Sequence, residues 1–456
     1  MLNLENKKIG VVGLSKRTGV SVAKFLLKKG LEVVITDTKN KEELNEQINE
    51  LKSYNPEYEL NGHGEKTLQS DLLIVSPGVP LNIDFFDKAR KRGIKIISEI
   101  ELAFQFTNAK VIAITGTNGK TTTTSLLGEI MKSYHPQKTF VAGNIGTPLI
   151  NVAPGLSKDN WLVVEVSSFQ LEAIDEFRPD ISIFLNFSPD HLDRHNDEID
   201  YLNAKKRIFA NQNINDRAIL NLDDQYVIKA SSDFNINKYY ISSKQKVKEG
   251  AYLENDSIYI VENENRYKVI NKNEVPLYGE HNLMNIAFAA KTASLVGIEL
   301  INIRNAIKKY QAAAHRLEVV IKNNDGSIII DDSKATNVDA SKKAINSFKN
   351  DIILIAGGQD RNADFSKLAD SIQKNVKVLI ILGETSEKIN KEMNKRNYNN
   401  VFQVKNMNEA VKTAAKFFKK GDCLLLSPAC PSWDMYQDYK ERGNYFQKNA
   451  KKYLNI

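Results

Sequence analysis

An α/β fold in three consecutive domains is predicted by three features of the sequence. Short apolar runs rich in Val, Ile and Leu alternate with amphipathic helical stretches from one end to the other. The 456 residues exceed what one core ordinarily supports, since domains run at roughly 100–200 residues. The pattern also changes character near residues 100 and 313, although no Pro/Gly/Ser-rich linker marks either place. With 42% hydrophobic and 26% charged residues, the chain has the composition of a globular protein, which excludes disorder, collagen and coiled coil as whole-chain descriptions.

Residues 1–100 open with an apolar strand from Lys8 to Gly13, a helix around Val20 to Lys29 and a second strand from Leu31 to Asp37. That is a βαβ unit. Further apolar runs at Asp71 to Val75 and Ile94 to Ile97 extend it into a mostly parallel, Rossmann-like sheet. Gly10, Gly13 and Gly19, with Asp37 closing the second strand, approach a dinucleotide fingerprint, but the spacing is not G-x-G-x-x-G. Ser15 stands where a close-packed glycine is expected, so a nicotinamide cofactor is disfavoured and another nucleotide's phosphates or ribose remain open.

Residues 101–313 begin with the β-branched strand VIAIT, then GTNGKTTTT, then a helix carrying Leu126, Leu127, Ile130, Met131 and Tyr134 on one face. Two buried strands follow, Trp161 to Val166 and Ile181 to Phe187. Alternating runs between about Lys238 and Ile270 predict a small antiparallel β patch, and a helix from Asn282 to Val296 closes the segment. The expectation is a P-loop-type ATPase α/β domain. Residues 314–456 return to α/β alternation, with strands at SIIIDD, DIILIAGG, VKVLIILG and DCLLLSPAC, and predict a second Rossmann-like domain.

The run from Thr115 to Thr123 carries the most specific chemistry. Gly116, Thr117, Asn118 and Gly119 lie between a strand and a helix, where backbone N–H groups can wrap phosphate oxygens. Lys120 adds a point charge, and the hydroxyl of Thr121 or Thr122 can ligate Mg²⁺. The usual G-x-x-x-x-G-K-T is altered, since Ile114 occupies the first glycine position. Glu165 ends a hydrophobic strand, where a carboxylate needs either a bound cation or a helix start to cap. The loop NFSPDHLDRH follows another buried strand and singles out His191. Of the six histidines, His63 and His135 sit in polar loop text and are assigned nothing.

Several classes are excluded or disfavoured. The net charge of +7 is spread along the chain rather than clustered between aromatic residues, so no nucleic-acid partner is expected. Cys423 and Cys430 are too few for a disulfide scaffold and read as packing. No run approaches about 18 apolar residues and no secretion signal is visible, so a cytoplasmic protein without membrane insertion is expected. A P-loop kinase would explain the middle segment alone and leaves DSKATN and SPAC without a task.

Eight motifs in order, GTNGKTTT, EVSSFQLE, NFSPDHLDRH, YLNAKKRIF, GEHNLMN, AHRLEVV, DDSKATN and SPACPSWDMYQDYKERGNYF, resemble the Mur ligase family over essentially the whole chain. The resemblance implies a UDP-substrate-binding domain, an ATP-binding domain and an amino-acid-binding domain. It implies an ATP-dependent amide ligase of peptidoglycan precursor synthesis working through an acyl phosphate. DSKATN and SPAC…RGN are similar to the branch that adds D-glutamate to UDP-N-acetylmuramoyl-L-alanine, the alternative being a Mur-type ligase with another amino-acid specificity.

The same resemblance implies roles residue by residue. Lys120, His191 and Lys205 are catalytic; Thr121 and Glu165 hold a first Mg²⁺, and His191 and a CO₂-derived carbamate on Lys205 a second. ATP is embraced by residues Gly116 to Thr122 together with Asn282, Asn285, Arg316 and Asp332. Asp37, Thr38, Ser76, Gly78, Asn144 and Ser167 face the UDP substrate. Lys334, Thr336, Arg361, Ser427 and Tyr436 form the D-glutamate pocket, with Arg361 where some relatives carry lysine. The loop GLSKRTG has one residue more than the family's usual loop, so no diphosphate contacts are carried over there. The partners implied are small molecules, and a monomer is expected. Read without the resemblance, Lys205 beside Lys206 is a surface lysine, and Arg361 a loop arginine in solvent.

Overall fold

The computed structural model describes residues 3–190, 194–195, 197–277, 279–311 and 314–454. Two compact units make up the chain. One comprises residues 1–272 and 284–307, the other residues 273–283 and 308–456.

The first unit holds two sheets. The smaller contains β1 (Lys8–Val12), β2 (Glu32–Thr36), β3 (Glu57–Glu59), β4 (Leu72–Val75) and β5 (Lys95–Ser98), all parallel, in the order β3-β2-β1-β4-β5. β1 and β4 read as unbroken apolar runs because parallel strands are covered on both faces. Chain order reverses between β1 and β4, and the carboxyl ends beside such a switch point form a ligand crevice. Gly13, at the end of β1, has φ +88°, and a Cβ on Gly19 would collide with the Gly13 carbonyl oxygen. The two glycines therefore provide the turn and the close packing of the helix Thr18–Lys28 on the strand end.

The larger sheet contains β6 (Lys110–Thr115), β7 (Thr139–Gly143), β8 (Trp161–Glu165), β9 (Ile181–Phe184), β10 (Arg217–Asn221), β11 (Asn237–Ser242), β12 (Gly250–Glu254), β13 (Ser257–Glu262) and β14 (Asn265–Asn271). Its order is β14-β13-β12-β11-β10-β9-β6-β8-β7. Pairing is parallel from β7 to β12 and antiparallel only across β12, β13 and β14. The antiparallel patch is thus narrower than its sequence pattern suggests, and continuous with the main sheet.

Two buried carboxylates join the sheets of this unit. In the helix Glu99–Phe104, which follows β5, Glu99 accepts from Ile150 N at 2.7 Å. Glu101 accepts from Asp175 N, Glu176 N and Phe177 N at 2.9, 3.1 and 2.8 Å. Burial pushes the Glu99 carboxyl up to about 7, and its Oε2 has no hydrogen-bond partner among the described residues.

The second unit holds β15 (Glu318–Lys322), β16 (Ile328–Asp331), β17 (Ile352–Ala356), β18 (Val376–Ile381), β19 (Val401–Gln403) and β20 (Cys423–Leu426), ordered β15-β16-β20-β17-β18-β19. All pairs are parallel except β15 with β16. The helices Val338–Ile345, Ser366–Asn375 and Ser386–Asn394 contribute Ile345, Leu368, Ile372 and Ile389 to one core. Met407–Phe417 and Tyr439–Tyr453 contribute Met407, Val411 and Phe446 to the core on the other face. Cys423 and Cys430 are buried and unpaired, and burial raises both thiols, as packing roles require. No helix among the described residues is long and apolar enough to cross a membrane.

Candidate active site

The phosphate loop lies where β6 gives way to the helix Lys120–Tyr134. Gly116 and Gly119 have φ of +147° and +87°, left-handed backbone that side chains resist. The segment after β9 holds the loop in place. Asn186 accepts from Thr117 N through its carbonyl at 3.0 Å and from Asn118 N through Oδ1 at 2.9 Å, and its amide donates to Asn118 O at 2.9 Å. Thr117 and Ser188 add a reciprocal pair at 3.1 Å. Lys120 Nζ donates to Gly116 O at 2.8 Å and Thr117 O at 2.9 Å, and Thr121 and Thr122 are buried behind it. Asn285 is packed against Gly119, so closely that a Cβ there would strike its Oδ1.

Glu165 ends β8, which lies between β6 and β7. It is 2% exposed; Oε1 accepts from Asn144 Nδ2 at 2.8 Å, while Oε2 is buried with no hydrogen-bond partner among the described residues. A sealed, half-satisfied carboxylate beside a phosphate loop fits a hard divalent cation. It does not cap a helix; Ser167 does so for Ser168–Leu171, in a capping box with Gln170. Ser167 therefore serves the backbone there.

Lys205 corrects the surface reading: it is 1% exposed on the helix Glu198–Lys206 and donates to Gly116 O at 3.0 Å. Its Nζ stands 4.4 Å from the Tyr201 ring centroid. Burial, and then repulsion from Lys120, hold the Lys205 amine well below its ordinary value, against the pull of Asp190 and Glu165. Lys206, one residue on, points to solvent and pairs with Asp233 at 2.7 Å. Tyr201 and Asp190 were not singled out by sequence; tertiary packing alone brings them here. His191 lies outside the described residues. His195 is buried, with Nε2 3.0 Å from Ser168 Oγ and its ring stacked on Phe169, which is a packing role.

At the crevice of the first sheet, Asp37 accepts from Leu14 N at 2.7 Å and Lys39 N at 3.0 Å, and Ser76 Oγ donates to Gly13 O at 2.6 Å. Thr38 is exposed beside Asp37. Arg194 donates to Gly78 O at 3.1 Å and Val79 O at 2.6 Å, and Arg17 to Gly143 O at 3.3 Å, so both sheets contribute to this rim.

In the second unit Asp332 is buried, accepting from Leu317 N at 3.2 Å and Ser427 Oγ at 2.9 Å. Burial pushes its carboxyl up to about 7, opposed by Ser427 and Arg316. Ser427 is wholly buried and also bonds Ser341, so its hydroxyl serves the loop. Lys334 Nζ lies 3.3 Å from Tyr439 Oη and 4.8 Å from that ring's centroid, and Thr336 follows in the same turn. Tyr436 packs against Tyr445 and the core. Arg361 is exposed, as a loop arginine would be, and its guanidinium stands 4.7 Å from the ring centroid of Trp433, itself exposed. Arg442, 2% exposed, donates to Ser333 Oγ and O at 3.0 and 2.7 Å and to Cys430 O at 3.0 Å, tying together the DSKATN and SPAC loops. Tyr439, Trp433 and Arg442 were missed individually, although the SPAC…RGN motif contains all three. Asn282, at the start of the helix Glu280–Leu295, is buried. His281 beside it is held down at about 4 by burial, Lys343 and Arg316, hence neutral. His315, Glu318 and Asp331 also converge, but the Gln447 amide donates to both carboxylates at 3.0 and 2.9 Å.

A phosphate loop with two lysines, a sealed carboxylate at the neighbouring strand end and a parallel sheet beneath define a nucleotide-binding enzyme of the P-loop class. Three family models divide the chain between them: the N-terminal domain of MurD-like Mur ligases over residues 7–98, the Mur ligase middle domain over 114–293 and the Mur ligase glutamate ligase domain over 315–430. The UDP-N-acetylmuramoylalanine--D-glutamate ligase of Clostridioides difficile (strain 630) is 44% identical over 451 residues, covering 98% of this chain and 99% of that one. Its counterpart from Alkaliphilus metalliredigens (strain QYMF) is 42% identical over 450 residues, 98% of each. Among solved structures, the MurF ligase from Thermotoga maritima in complex with ADP shares the fold with TM-score 0.60 at 16% identity, covering 99% of this chain and 100% of that one. A pseudomurein peptide ligase type C from Methanothermus fervidus does so with TM-score 0.60 at 20% identity, covering 98% and 100%. The chain belongs to the Mur ligase family. It has that family's three-domain architecture and is an ATP-dependent, ADP-forming ligase of peptidoglycan precursor synthesis, a family that uses ATP with Mg²⁺.

Proposed function

We propose that this enzyme adds D-glutamate to UDP-N-acetylmuramoyl-L-alanine in the cytoplasm, acting as a monomer on small-molecule substrates. The observation that carries this reading is full-length identity of 40–44% to relatives bearing that activity in their names. Residues 1–100 bind the UDP substrate through Asp37, Thr38, Ser76 and Gly78, with Asn144 toward the muramoyl end. Residues 101–313 bind ATP through the loop Gly116 to Thr122 and Asn285. Residues 314–456 bind the amino acid. Asn282, Arg316 and Asp332 are further ATP contacts, and Lys334, Thr336, Arg361, Ser427 and Tyr436 the D-glutamate set. For Ser427 and Tyr436 the support is the motif alone, since both side chains are engaged in the fold; Tyr439 is the ring that meets Lys334. Ser167 keeps its resemblance to the UDP-substrate set, although its hydroxyl caps a helix.

The substrate carboxylate attacks the γ-phosphorus of ATP, ADP leaves, and an acyl phosphate forms. Lys120 stabilises the charge on the transferring phosphoryl group. The amine of D-glutamate, unprotonated, then attacks the acyl carbon, its surplus proton passes to a nearby base or to the phosphate, and inorganic phosphate departs as the amide forms. Thr121 and Glu165 would hold one Mg²⁺, and His191 with a Lys205 carbamate a second. Such ions neutralise phosphate charge and orient the reacting oxygens. The lowered Lys205 amine supports the carbamate, because only the unprotonated amine can attack CO₂.

The test is phosphate release from ATP and Mg²⁺ with UDP-N-acetylmuramoyl-L-alanine, comparing D-glutamate with L-glutamate, L-alanine, a diamino acid and D-Ala-D-Ala. Release with D-glutamate alone, with the amide seen by mass, is expected. Release with a different amino acid would keep the ligase and overturn the specificity.

A further inference from the structure

His63, to which no role attaches so far, has its hydrogen-bonding chemistry set by Thr36. The Thr36 hydroxyl, wholly buried at the end of β2, donates to Gly62 O at 3.0 Å and lies 2.9 Å from His63 Nδ1. A hydroxyl has one proton and a carbonyl oxygen can only accept, so that proton is committed to Gly62. With both contacts made as hydrogen bonds, Nδ1 is the donor to Thr36. A neutral imidazole protonated at Nδ1 carries its acceptor lone pair on Nε2. No described residue hydrogen-bonds Nε2. Burial keeps His63 below its ordinary value, although the carboxylates of Asp37 and Glu59 pull the other way, so this tautomer persists at neutral pH.

The ring also stands at the right place. Gly62 bridges to Asp37, the residue after β2, and the His63 ring packs 5.1 Å from that of Phe85, on the helix Asp84–Lys91 that follows β4. His63 thus spans from the end of β2 to the helix after β4, at the carboxyl rim that carries Asp37 and Ser76.

We propose that His63 reads the nucleoside of the UDP-linked substrate, its Nε2 accepting a hydrogen bond from a uridine donor, either the imide N3–H or a ribose hydroxyl. A phosphate oxygen, itself an acceptor, is unsuited to this lone pair. The inference rests on the reading of this rim as the UDP site.

Calorimetry on the full chain tests it without turnover, using UDP, N3-methyl-UDP, 2′-deoxy-UDP and 3′-deoxy-UDP. His63→Asn keeps a donor near the Nδ1 position and removes Nε2; His63→Gln keeps an acceptor near the Nε2 position. His63→Asn should weaken UDP binding about 5–10-fold and raise KM for the UDP substrate equally, with kcat within about twofold, and His63→Gln should restore most of the loss. One analogue should bind wild type as weakly as His63→Asn binds UDP, with no further loss when variant and analogue are combined. The N3-methyl analogue in that position assigns the imide; a deoxy analogue assigns the ribose. Unchanged UDP affinity in His63→Asn, or additive losses with every analogue, would overturn the proposal. Coupled binding without phosphate release from any amino acid would instead overturn the proposed reaction and leave this contact standing.

Discussion

Lys120 and Lys205 donate to the same acceptor, the Gly116 carbonyl oxygen, at 2.8 and 3.0 Å. Two ammonium groups on one carbonyl repel each other. Burial first, and then this repulsion, hold the Lys205 amine well below its ordinary value.

From this follows the expectation that Lys205→Ala lowers turnover by at least about 100-fold and that short carboxylates such as acetate or formate restore part of it. They would occupy the place of the carbamate. Steady-state assays across a carboxylate titration check this; the absence of rescue at every concentration would rule out the carbamate role.

Lys120→Ala should lower ADP formation by at least about 1,000-fold, since its charge serves the phosphoryl group in flight. UDP affinity should stay within about twofold, because Asp37 and Ser76 lie on a different sheet. Phosphate release and calorimetry on one sample separate the two; parallel loss of both would sink the division of labour.

Glu99 makes stability fall as pH rises. Its folded value of about 7 lies above the usual carboxylate value, so between about pH 4 and 7 the folded state holds a proton that the unfolded state has released. The contribution is complete below about pH 4 and lost as pH passes 7, about 3 kcal/mol at most. Glu99→Gln keeps an acceptor for Ile150 N and should flatten that slope. Thermal melts from pH 4 to 8 decide; identical slopes in both proteins would refute it.

Arg442→Lys should destabilise the second unit by about 2–4 kcal/mol, because a point charge cannot reproduce a guanidinium fork serving Ser333 and Cys430 at once. Loosening the DSKATN and SPAC loops should also raise KM for D-glutamate more than KM for ATP. Denaturant unfolding and paired KM measurements check both; a uniform loss of kcat with KM unmoved would contradict the positioning role.

What could be read in the sequence was local. Most of the central strands of all three sheets are legible because strands buried on both faces must be continuously apolar, whereas β3, β7, β10, β15 and β19 went unread; the phosphate loop is legible because its glycines, lysine and threonines are contiguous. Residue by residue, the family resemblance supplied assignments that no periodicity could. The tertiary structure decided what depends on distant surfaces. Lys205 and Lys206 are equivalent in sequence, yet the roughly 100° between successive helix residues sends the first under Gly116 and the second to Asp233 in solvent. Glu99, Glu101 and Arg442 look like surface charges until another loop's backbone covers them. His63 became informative only when Thr36 was found to have committed its proton elsewhere. Burial and hydrogen-bond partners are properties of the covering surface, and that surface comes from residues far away in the chain.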